Sequence, residues 1–176
     1  MTDSDALIEQ YRQIHQTKVY GNSSETLTGL IQRQVEGIIL VSRVLDYGCG
    51  QSRLVDWIAR LNAAHAVRYD PAIPEHSTLH SDGVDLVLCT DVMEHIPEDD
   101  VSDTLQEIAS ISINAYFNIA LTPASEILPN GENAHCTVRP ARWWARQLRA
   151  HFRVVRSVNA ARKDRASFVT WSKPGE

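Results

Sequence analysis

Residues 43 to 54 read Arg43-Val44-Leu45-Asp46-Tyr47-Gly48-Cys49-Gly50-Gln51-Ser52-Arg53-Leu54, and the expected fold is built around this segment. A short apolar run breaks into two glycines one residue apart and continues as amphipathic sequence. The pattern predicts a strand, a tight turn and a helix. Glycines let a backbone approach a ligand without a Cβ clash, and the helix is expected to offer free N–H groups at its start. The segment therefore predicts a site for a nucleotide-sized cofactor.

The part from Val44 to Gly50 is similar to the first motif of the class I S-adenosylmethionine (SAM)-dependent methyltransferases. The resemblance implies that this strand is the first of the sheet and that the segment holds the methionine end of SAM. The residues given this role are Asp46, Tyr47, Gly48, Cys49 and Gly50. Ser52 stands where the family usually has a third glycine, so a slightly wider loop is expected. Taken alone, the motif is also compatible with a plain strand-to-helix turn, and Arg53 excludes a match to the dinucleotide pattern G-x-G-x-x-G.

Length and composition predict one soluble domain. The 176 residues fit a single domain over residues 1–176, with residues 1–40 as an N-terminal helical lid or cap. No apolar run approaches the roughly 20 residues that span a bilayer, and the N-terminus lacks a signal-peptide layout, so a cytoplasmic protein without membrane insertion is expected. The three cysteines are far apart and lack C-x-x-C spacing, which argues against a disulfide framework or a zinc site.

The net charge of −5 is unevenly distributed along the chain. Residues 1–128 carry 7 basic and 19 acidic side chains, whereas residues 129–176 carry 10 basic and 3 acidic ones. The basic C-terminal part is compatible with a surface for an anionic substrate and equally with a solvated helix face.

The first 40 residues have helical periodicity in two segments. Their apolar positions are Leu7, Tyr11 and Ile14, and then Leu27, Leu30, Ile31, Val35 and Ile38. Gly21 and Asn22 are expected to separate the two helices. In the methyltransferases that this chain resembles, such a segment folds over the cofactor as a partial lid, which implies that Tyr20 and Gly21 lie near SAM. A plain linker between two helices is the alternative.

A second strand is predicted over residues 64–69, ending in Asp70-Pro71. A carboxylate at the tip of the second strand of a Rossmann-like fold accepts hydrogen bonds from ribose hydroxyls, so Asp70 is interpreted as the ribose ligand, with a helix cap as the alternative. Only 15 steps separate Asp70 from Asp85, too few for a full helix and strand. The crossover is therefore expected to be abbreviated, with a short third strand over residues 77–80 and Ser81 and Asp82 near the adenine.

A buried strand is predicted over residues 84–89, followed by Thr90-Asp91-Val92-Met93-Glu94-His95. This segment is similar to the fourth-strand signature of the same methyltransferases. Because ligands of open α/β sheets sit at the carboxyl ends of the strands, Asp91, Glu94 and His95 are expected to face the crevice of Gly48 and Asp70, with Asp91 touching the cofactor. A structural turn is the alternative for Glu94 and His95.

A helix over residues 99–111 and a fifth strand over 115–121 precede a long loop, residues 122–135, rich in turn formers. Long ordered loops in compact domains are usually functional. The loop resembles one in a subset of small bacterial and phage methyltransferases, many associated with glycan pathways, that carry a similar Leu-Pro-x-Gly-x-Asn-Ala-His.

The C-terminal part is predicted to complete the sheet. A helix begins after Pro140 and carries Trp143 and Trp144, one in the core and one partly exposed. Residues 152–158 and 167–171 are predicted to form an antiparallel hairpin. The expected fold class is α/β, a Rossmann-like, doubly wound and mostly parallel sheet of seven strands, abbreviated around the third.

Methyl transfer from SAM is an in-line displacement on a sulfonium carbon, so the enzyme mainly positions the acceptor, excludes water and, where needed, removes a proton. A neutral histidine suits proton removal at neutral pH. His135 is the preferred base because it lies in the substrate-facing loop, and His95 is the second candidate. Glu94 is expected to orient either imidazole.

Three functions are compatible with these residues. The preferred one is O-methylation of a hydroxyl on a glycan or small molecule, without a metal, with the basic C-terminal part meeting a carboxylate or phosphate. The second is a metal-dependent RNA 2′-O-methyltransferase, because Asp91, Glu94, His95 and His135 resemble the two-carboxylate, two-histidine site of small-RNA 3′-end methyltransferases, and such ligands suit Mg²⁺ or Mn²⁺. The third is a non-catalytic SAM-binding module. Nucleic acid is not the expected partner, whereas a homodimer or a fused or partner domain fits the small size.

Overall fold

The computed structural model describes residues 3–36, 40–80 and 82–172. In these ranges the chain forms five α-helices and six strands. In chain order they are α1 (Asp3–Thr17), α2 (Thr28–Val35), β1 (Arg43–Tyr47), α3 (Leu54–Asn62), β2 (His65–Tyr69), β3 (Leu86–Thr90), α4 (Val101–Ile111), β4 (Ala115–Ala120), α5 (Ala141–His151), β5 (Arg156–Val158) and β6 (Arg165–Val169). Ile38 and Ser81, which carried expectations from the sequence, lie outside the described residues.

The strands form one mixed sheet in the order β2-β1-β3-β4-β6-β5. The first four strands in this order are parallel, and β6 runs antiparallel to both β4 and β5. The Rossmann-like class and the antiparallel C-terminal strands are therefore confirmed. All six residues of β4 are buried, as expected for a central strand covered on both faces.

The predicted seventh strand is absent from the described part of the chain, so the expectation of seven strands is wrong there. Residues 77–80 form no strand. After Asp70 the backbone turns back on itself: the Asp70 carboxylate accepts the N–H of Ala72, and a single 3₁₀ turn, Pro74–His76, follows. The connection is too short to lay another strand beside β2, which consequently forms the edge of the sheet and is partly exposed along its length.

Helices cover both faces of the sheet. The face that carries α4 and α5 buries Leu105, Phe117 and Trp144, whereas the opposite face packs α2 and α3 through Ile31, Ile58 and their neighbours. Trp144 is fully buried and Trp143 only partly, which confirms the prediction for this pair. None of the described helices is long and apolar enough to cross a membrane.

Candidate active site

A cavity of about 690 Å³, open mouth included, lies at the carboxyl ends of the first three parallel strands. Gly48, Asp70 and Asp91 directly follow β1, β2 and β3 and line it together, as expected for a ligand site in an open α/β sheet. The predicted site residues in its wall are Tyr20, Gly21, Gly48, Gly50, Asp70, Asp91 and His95. Six other described residues with predicted roles are not part of this wall: Asp46, Tyr47, Cys49, Asp82, Glu94 and His135.

The turn after β1 requires both of its glycines. Gly48 has a φ of +72° and Gly50 a φ of +50°, a region in which a Cβ is unfavourable. A Cβ on Gly48 would lie 2.5 Å from Cγ2 of Val92, and one on Gly50 would lie 3.0 Å from the carbonyl oxygen of Tyr20. The turn is therefore enclosed by the loop after β3 on one side and by the N-terminal segment on the other.

The backbone N–H groups of this turn, up to Leu54 at the start of α3, all donate within the protein. The backbone N–H groups of Gly48 and Cys49 both donate to the carbonyl of Tyr69, at 2.7 and 2.9 Å. The N–H of Gly50 donates to Oδ2 of Asp70 at 2.8 Å. The four that follow also have acceptors: Gln51 donates to the carbonyl of Tyr20, Ser52 to the carbonyl of Cys49, Arg53 to Oε1 of Glu25 and Leu54 to Oγ of Ser52. The loop is thus satisfied by its own protein surroundings.

Asp70 supports this turn as well as facing the cavity. Its Oδ2 accepts from Gly50, and its Oδ1 accepts the N–H of Ala72 at 2.9 Å. A carboxylate has about four acceptor positions, so two remain for other donors. The predicted role of Asp70 as a ribose ligand is compatible with this arrangement and stays a prediction.

Residues 20–27 are joined to the glycine turn by buried and reciprocal hydrogen bonds. The N–H of Tyr20 donates to Oε1 of Gln51 at 2.9 Å, while the N–H of Gln51 donates back to the carbonyl of Tyr20 at 3.1 Å. The hydroxyl of Ser24 donates to Oγ of Ser52 at 2.9 Å, and both side chains are buried. Ser52, which departs from the glycine usual in the family, therefore links the N-terminal segment to the start of α3.

Asp46 and its neighbours lie beneath the turn. Asp46 is 1% exposed and both of its carboxylate oxygens lack a partner, so burial raises its pKa to about 7. The side chain of Tyr47 lies on the opposite face of β1, where its hydroxyl donates to Oε2 of Glu107 in α4 at 2.6 Å. The thiol of Cys49 is buried, and burial raises its pKa. Their predicted cofactor contacts stay predictions.

Asp91 connects the N-terminal segment with strands β4 and β6. Its φ of +56° is unusual for a non-glycine residue and is typical of functional sites. Oδ2 accepts the hydroxyl of Ser23 at 3.1 Å. Oδ1 accepts the side-chain amide of Asn118 at 3.1 Å and lies 3.2 Å from Nη1 of Arg165. The carboxylate is therefore fixed from three sides at the edge of the cavity.

Glu94 is completely buried behind the cavity wall. Its Oε1 accepts the backbone N–H of Ala120 at 2.9 Å and Nη1 of Arg165 at 3.0 Å, while Oε2 has no partner. Burial, followed by the nearby charge of Asp91, raises the pKa of Glu94 to about 7. The same Arg165 guanidinium thus bridges the two carboxylates that follow β3.

The two predicted histidines lie side by side with the same tautomer. Nδ1 of His95 is 2.8 Å from the carbonyl oxygen of Ala134, and Nδ1 of His135 is 2.6 Å from that of Thr122. A carbonyl oxygen only accepts, so each Nδ1 carries the hydrogen and each Nε2 keeps a lone pair. Burial lowers the pKa of both imidazoles.

Charges and aromatic groups surround this pair. The ring centroids of His95 and His135 are 4.8 Å apart, and Nε2 of His135 lies 4.0 Å from Oε1 of Glu94. The hydroxyl of Tyr11 donates to the carbonyl of Ala134 at 2.9 Å and lies 2.6 Å from Nδ1 of His95. Helix α1 therefore reaches across the cavity to the histidine pair.

Glu94, His95 and His135 could also hold a metal ion, since one ligand atom from each lies within 4.8 Å of the others.

Sequence reasoning missed several residues of this site, and most had no local signal. Arg165 is 71 positions from Glu94 and Tyr11 is 84 positions from His95. The residues found only in the structure are Tyr11, His15, Ser23, Asn118 and Arg165. Asn118 alone carried a signal, because it is a polar residue inside the otherwise apolar β4.

Residues 19–158 match the model of a protein family described as a methyltransferase domain. The chain belongs to this methyltransferase family. The match extends over more than half of the chain and confirms the family inferred from the residues around Gly48 and Asp91, and with it the enzyme class and SAM as the cofactor. No curated protein matches this methyltransferase.

Solved structures share the fold of this methyltransferase at low sequence identity. The 1,6-didemethyltoxoflavin-N1-methyltransferase of Burkholderia thailandensis, with 1,6-didemethyltoxoflavin and S-adenosylhomocysteine bound, has a TM-score of 0.64 and 13% identity, covering 96% of this chain and 89% of its own. An O-methyltransferase family protein of the same organism has a TM-score of 0.59 and 11% identity, covering 88% of this chain. The present chain spans only 58% of that protein's length. The N-terminal domain of EvdMO1, crystallised in the presence of S-adenosylhomocysteine and D-fucose, has a TM-score of 0.55 and 14% identity, covering 96% of each chain.

Proposed function

We propose that the protein transfers the methyl group of SAM to a hydroxyl group of a glycan or small-molecule acceptor. The observation that carries this proposal is the pair of neutral histidines beside the cofactor cavity, each with a free Nε2 and one of them 4.0 Å from a buried carboxylate. Structural neighbours include an O-methyltransferase family protein and a domain crystallised with D-fucose, which support an oxygen acceptor and a sugar. The basic residues between 129 and 176 suit an acceptor that carries a carboxylate or phosphate.

The cavity fits the cofactor. The Cβ-free turn of Gly48 and Gly50 leaves room for a ligand to approach the backbone, and Asp70 presents two remaining acceptor positions to ribose hydroxyls. Tyr20 and Gly21 cover the same turn from the N-terminal side. We assign the cofactor to this space, with Asp91 at its inner edge.

His135 is the proposed base. When bound, SAM supplies the methyl group: the acceptor oxygen forms the new carbon–oxygen bond while the carbon–sulfur bond breaks and its electron pair goes to sulfur. The Nε2 of His135 accepts the hydroxyl proton of the acceptor, and the carboxylate of Glu94 stabilises the imidazolium that forms. His95, in the cavity wall, holds His135 in place through its edge-to-face ring contact.

The pH dependence of turnover tests this role. His135→Gln is expected to lower kcat by roughly 10²- to 10⁴-fold, because a general base contributes that much. Burial lowers the pKa of His135, so the imidazole stays neutral below its ordinary range. Burial raises the pKa of Glu94 to about 7, so the acid limb of wild-type activity reports protonation of the Glu94 and His135 pair. We would measure methyl incorporation from labelled SAM into a panel of monosaccharides and sugar phosphates across pH.

The matched control is His65→Gln, which alters an exposed histidine of β2 and should leave the acid limb unchanged. Full activity in His135→Gln, with the acid limb intact, would contradict the histidine-base proposal. Wild-type protein that binds S-adenosylhomocysteine yet methylates no hydroxyl acceptor would instead favour a non-catalytic module or an acceptor other than oxygen.

A metal-assisted reaction is the second candidate, and the cluster of Glu94, His95 and His135 favours it. In that reaction the two Nε2 atoms and a Glu94 oxygen would bind a divalent cation such as Mg²⁺. Asp91, the remaining member of the predicted ligand set, is instead held by Ser23, Asn118 and the cation Arg165. Because Arg165 already places a positive charge beside both carboxylates, we prefer the metal-free reaction; loss of activity with a chelator and recovery with Mn²⁺ would reverse this preference.

A further inference from the structure

The cofactor's methionine end carries a carboxylate that requires a hydrogen-bond donor, because a buried anion without a partner is strongly unfavourable. Asp70 is assigned to the ribose, so the other end of the cofactor lies along the glycine turn and the start of α3, where the helix dipole favours negative charge. Yet every backbone N–H from Gly48 to Leu54 already donates within the protein. The N–H groups of the turn are therefore occupied, and a side chain that faces the turn can supply the donor.

His15 of α1 faces this turn. It lines the same cavity as Gly50, and its Cε1 would lie 3.7 Å from a Cβ placed on Gly50. Its Nδ1 atom is buried and has no hydrogen-bond partner. Buried polar atoms in native proteins are nearly always paired, so an unpaired one at a ligand cavity points to a missing partner.

One contact to the backbone and one to the ring hold His15 beside the turn. Nε2 of Gln51 donates to the carbonyl of His15 at 3.4 Å, while Oε1 of the same glutamine accepts the N–H of Tyr20. The ring of Tyr20 meets the His15 ring edge to face with the centroids 6.0 Å apart. The Gln51 side chain therefore connects the glycine turn to the backbone of both His15 and Tyr20.

We propose that His15 is a cofactor-binding residue whose Nδ1–H donates a hydrogen bond to the methionine carboxylate of SAM. The inference rests on the proposed function in one respect only, that SAM occupies this cavity. Helix α1 thereby supplies a specific polar contact to the amino-acid end of the cofactor, in addition to covering it. S-adenosylhomocysteine carries the same carboxylate and is bound in the same way, whereas 5′-methylthioadenosine, which lacks the amino-acid end, makes no contact with His15.

The two ligands provide the test. Calorimetric dissociation constants for S-adenosylhomocysteine and 5′-methylthioadenosine would be measured with the full-length wild type, His15→Ala and His15→Asn. Asparagine places an amide N–H near the position of Nδ1 and should restore part of the affinity. We expect His15→Ala to weaken S-adenosylhomocysteine binding roughly tenfold or more, the range for a hydrogen bond to a charged group, and to change 5′-methylthioadenosine binding less than about twofold.

Gln16→Ala, which alters an exposed neighbour on α1, is the matched control and should bind both ligands as the wild type does. Equal losses for both ligands in His15→Ala would show that His15 only packs the helix, and unchanged affinity for S-adenosylhomocysteine would likewise overturn the proposal. Wild-type protein that binds neither ligand would refute the cofactor assignment itself, which is a different result.

Discussion

Among the described glycines, Gly48 is the residue at which an added Cβ would be most crowded. A Cβ there would lie 2.5 Å from Cγ2 and 3.0 Å from Cγ1 of Val92, and the φ of +72° already disfavours a side chain. Gly48→Ala should push Val92 and the adjacent Asp91 out of place. We expect at least a tenfold loss of affinity for S-adenosylhomocysteine, measured by calorimetry, because the cavity wall is displaced.

Gly131 offers a matched control for this substitution. Its φ of +89° is also left-handed, but nothing lies within 4 Å of a Cβ placed there. Gly131→Ala should cost about 1 kcal/mol of stability from backbone strain alone and leave cofactor affinity unchanged. If both variants lose affinity to the same extent, backbone strain and not the clash with Val92 is responsible.

At the scale of elements, Ser52 joins the N-terminal segment to α3. Its Oγ accepts the N–H of Leu54 at 3.0 Å and the hydroxyl of Ser24 at 2.9 Å, and both serines are buried. Ser52→Ala should lower the free energy of unfolding by about 1–2 kcal/mol, because it removes the acceptor of the Leu54 N–H and leaves the buried Ser24 hydroxyl with the carbonyl of Gly21 as its remaining acceptor. Amide hydrogen exchange over residues 20–27 should become faster, since the segment loses its attachment.

The control for this variant is Ser110→Ala. Ser110 is exposed on α4 and its hydroxyl donates to the carbonyl of Glu107, so its loss should leave exchange at residues 20–27 unchanged. A loss of stability in Ser52→Ala without faster exchange there would mean that Ser52 acts on α3 only.

At the scale of the whole molecule, two buried carboxyl groups are expected to shape the dependence of stability on pH. Burial raises the pKa of Asp46 from 3.8 to about 7 and that of Glu94 from 4.5 to about 7. At a pH between the ordinary pKa and the raised pKa of each group, the carboxyl group is deprotonated in the unfolded chain and protonated in the folded chain. The free energy of unfolding therefore falls as pH rises through this window, and the penalty is fully present above it.

Asp46 has the larger of the two pKa shifts and should contribute more to the pH dependence of stability. Asp46→Asn removes this contribution, because the amide has nearly the same shape as the carboxyl group and carries no charge. We expect it to raise the free energy of unfolding by on the order of 2 kcal/mol at about pH 8 and to have little effect near pH 4, from urea titrations without cofactor. Asp99→Asn, at an exposed position, should show no such difference between the two pH values. A stabilisation equal at both pH values would exclude the titration of Asp46 as its cause.

Features of the fold that depend on local pattern could be predicted from the amino-acid sequence. The glycine turn, the acidic residues after β2 and β3 and the periodicity of α4 and α5 are set by neighbouring residues, because steric limits on the backbone and the burial of apolar faces act over a few positions. Parallel strands then bring Gly48, Asp70 and Asp91 to one edge of the sheet. The family and the cofactor followed from these residues.

Which polar groups form hydrogen bonds within the protein depends on the three-dimensional arrangement of the chain. The backbone N–H groups of the turn donate to acceptors as distant in sequence as Tyr20 and Asp70. Arg165, in the C-terminal part of the chain, contacts both Asp91 and Glu94. The number of strands likewise depended on how residues 70–80 fold back after β2, which sequence periodicity does not predict. Hydrogen-bond partners are set by three-dimensional proximity, and the long-range contacts that bring them together leave no periodic signal in the sequence.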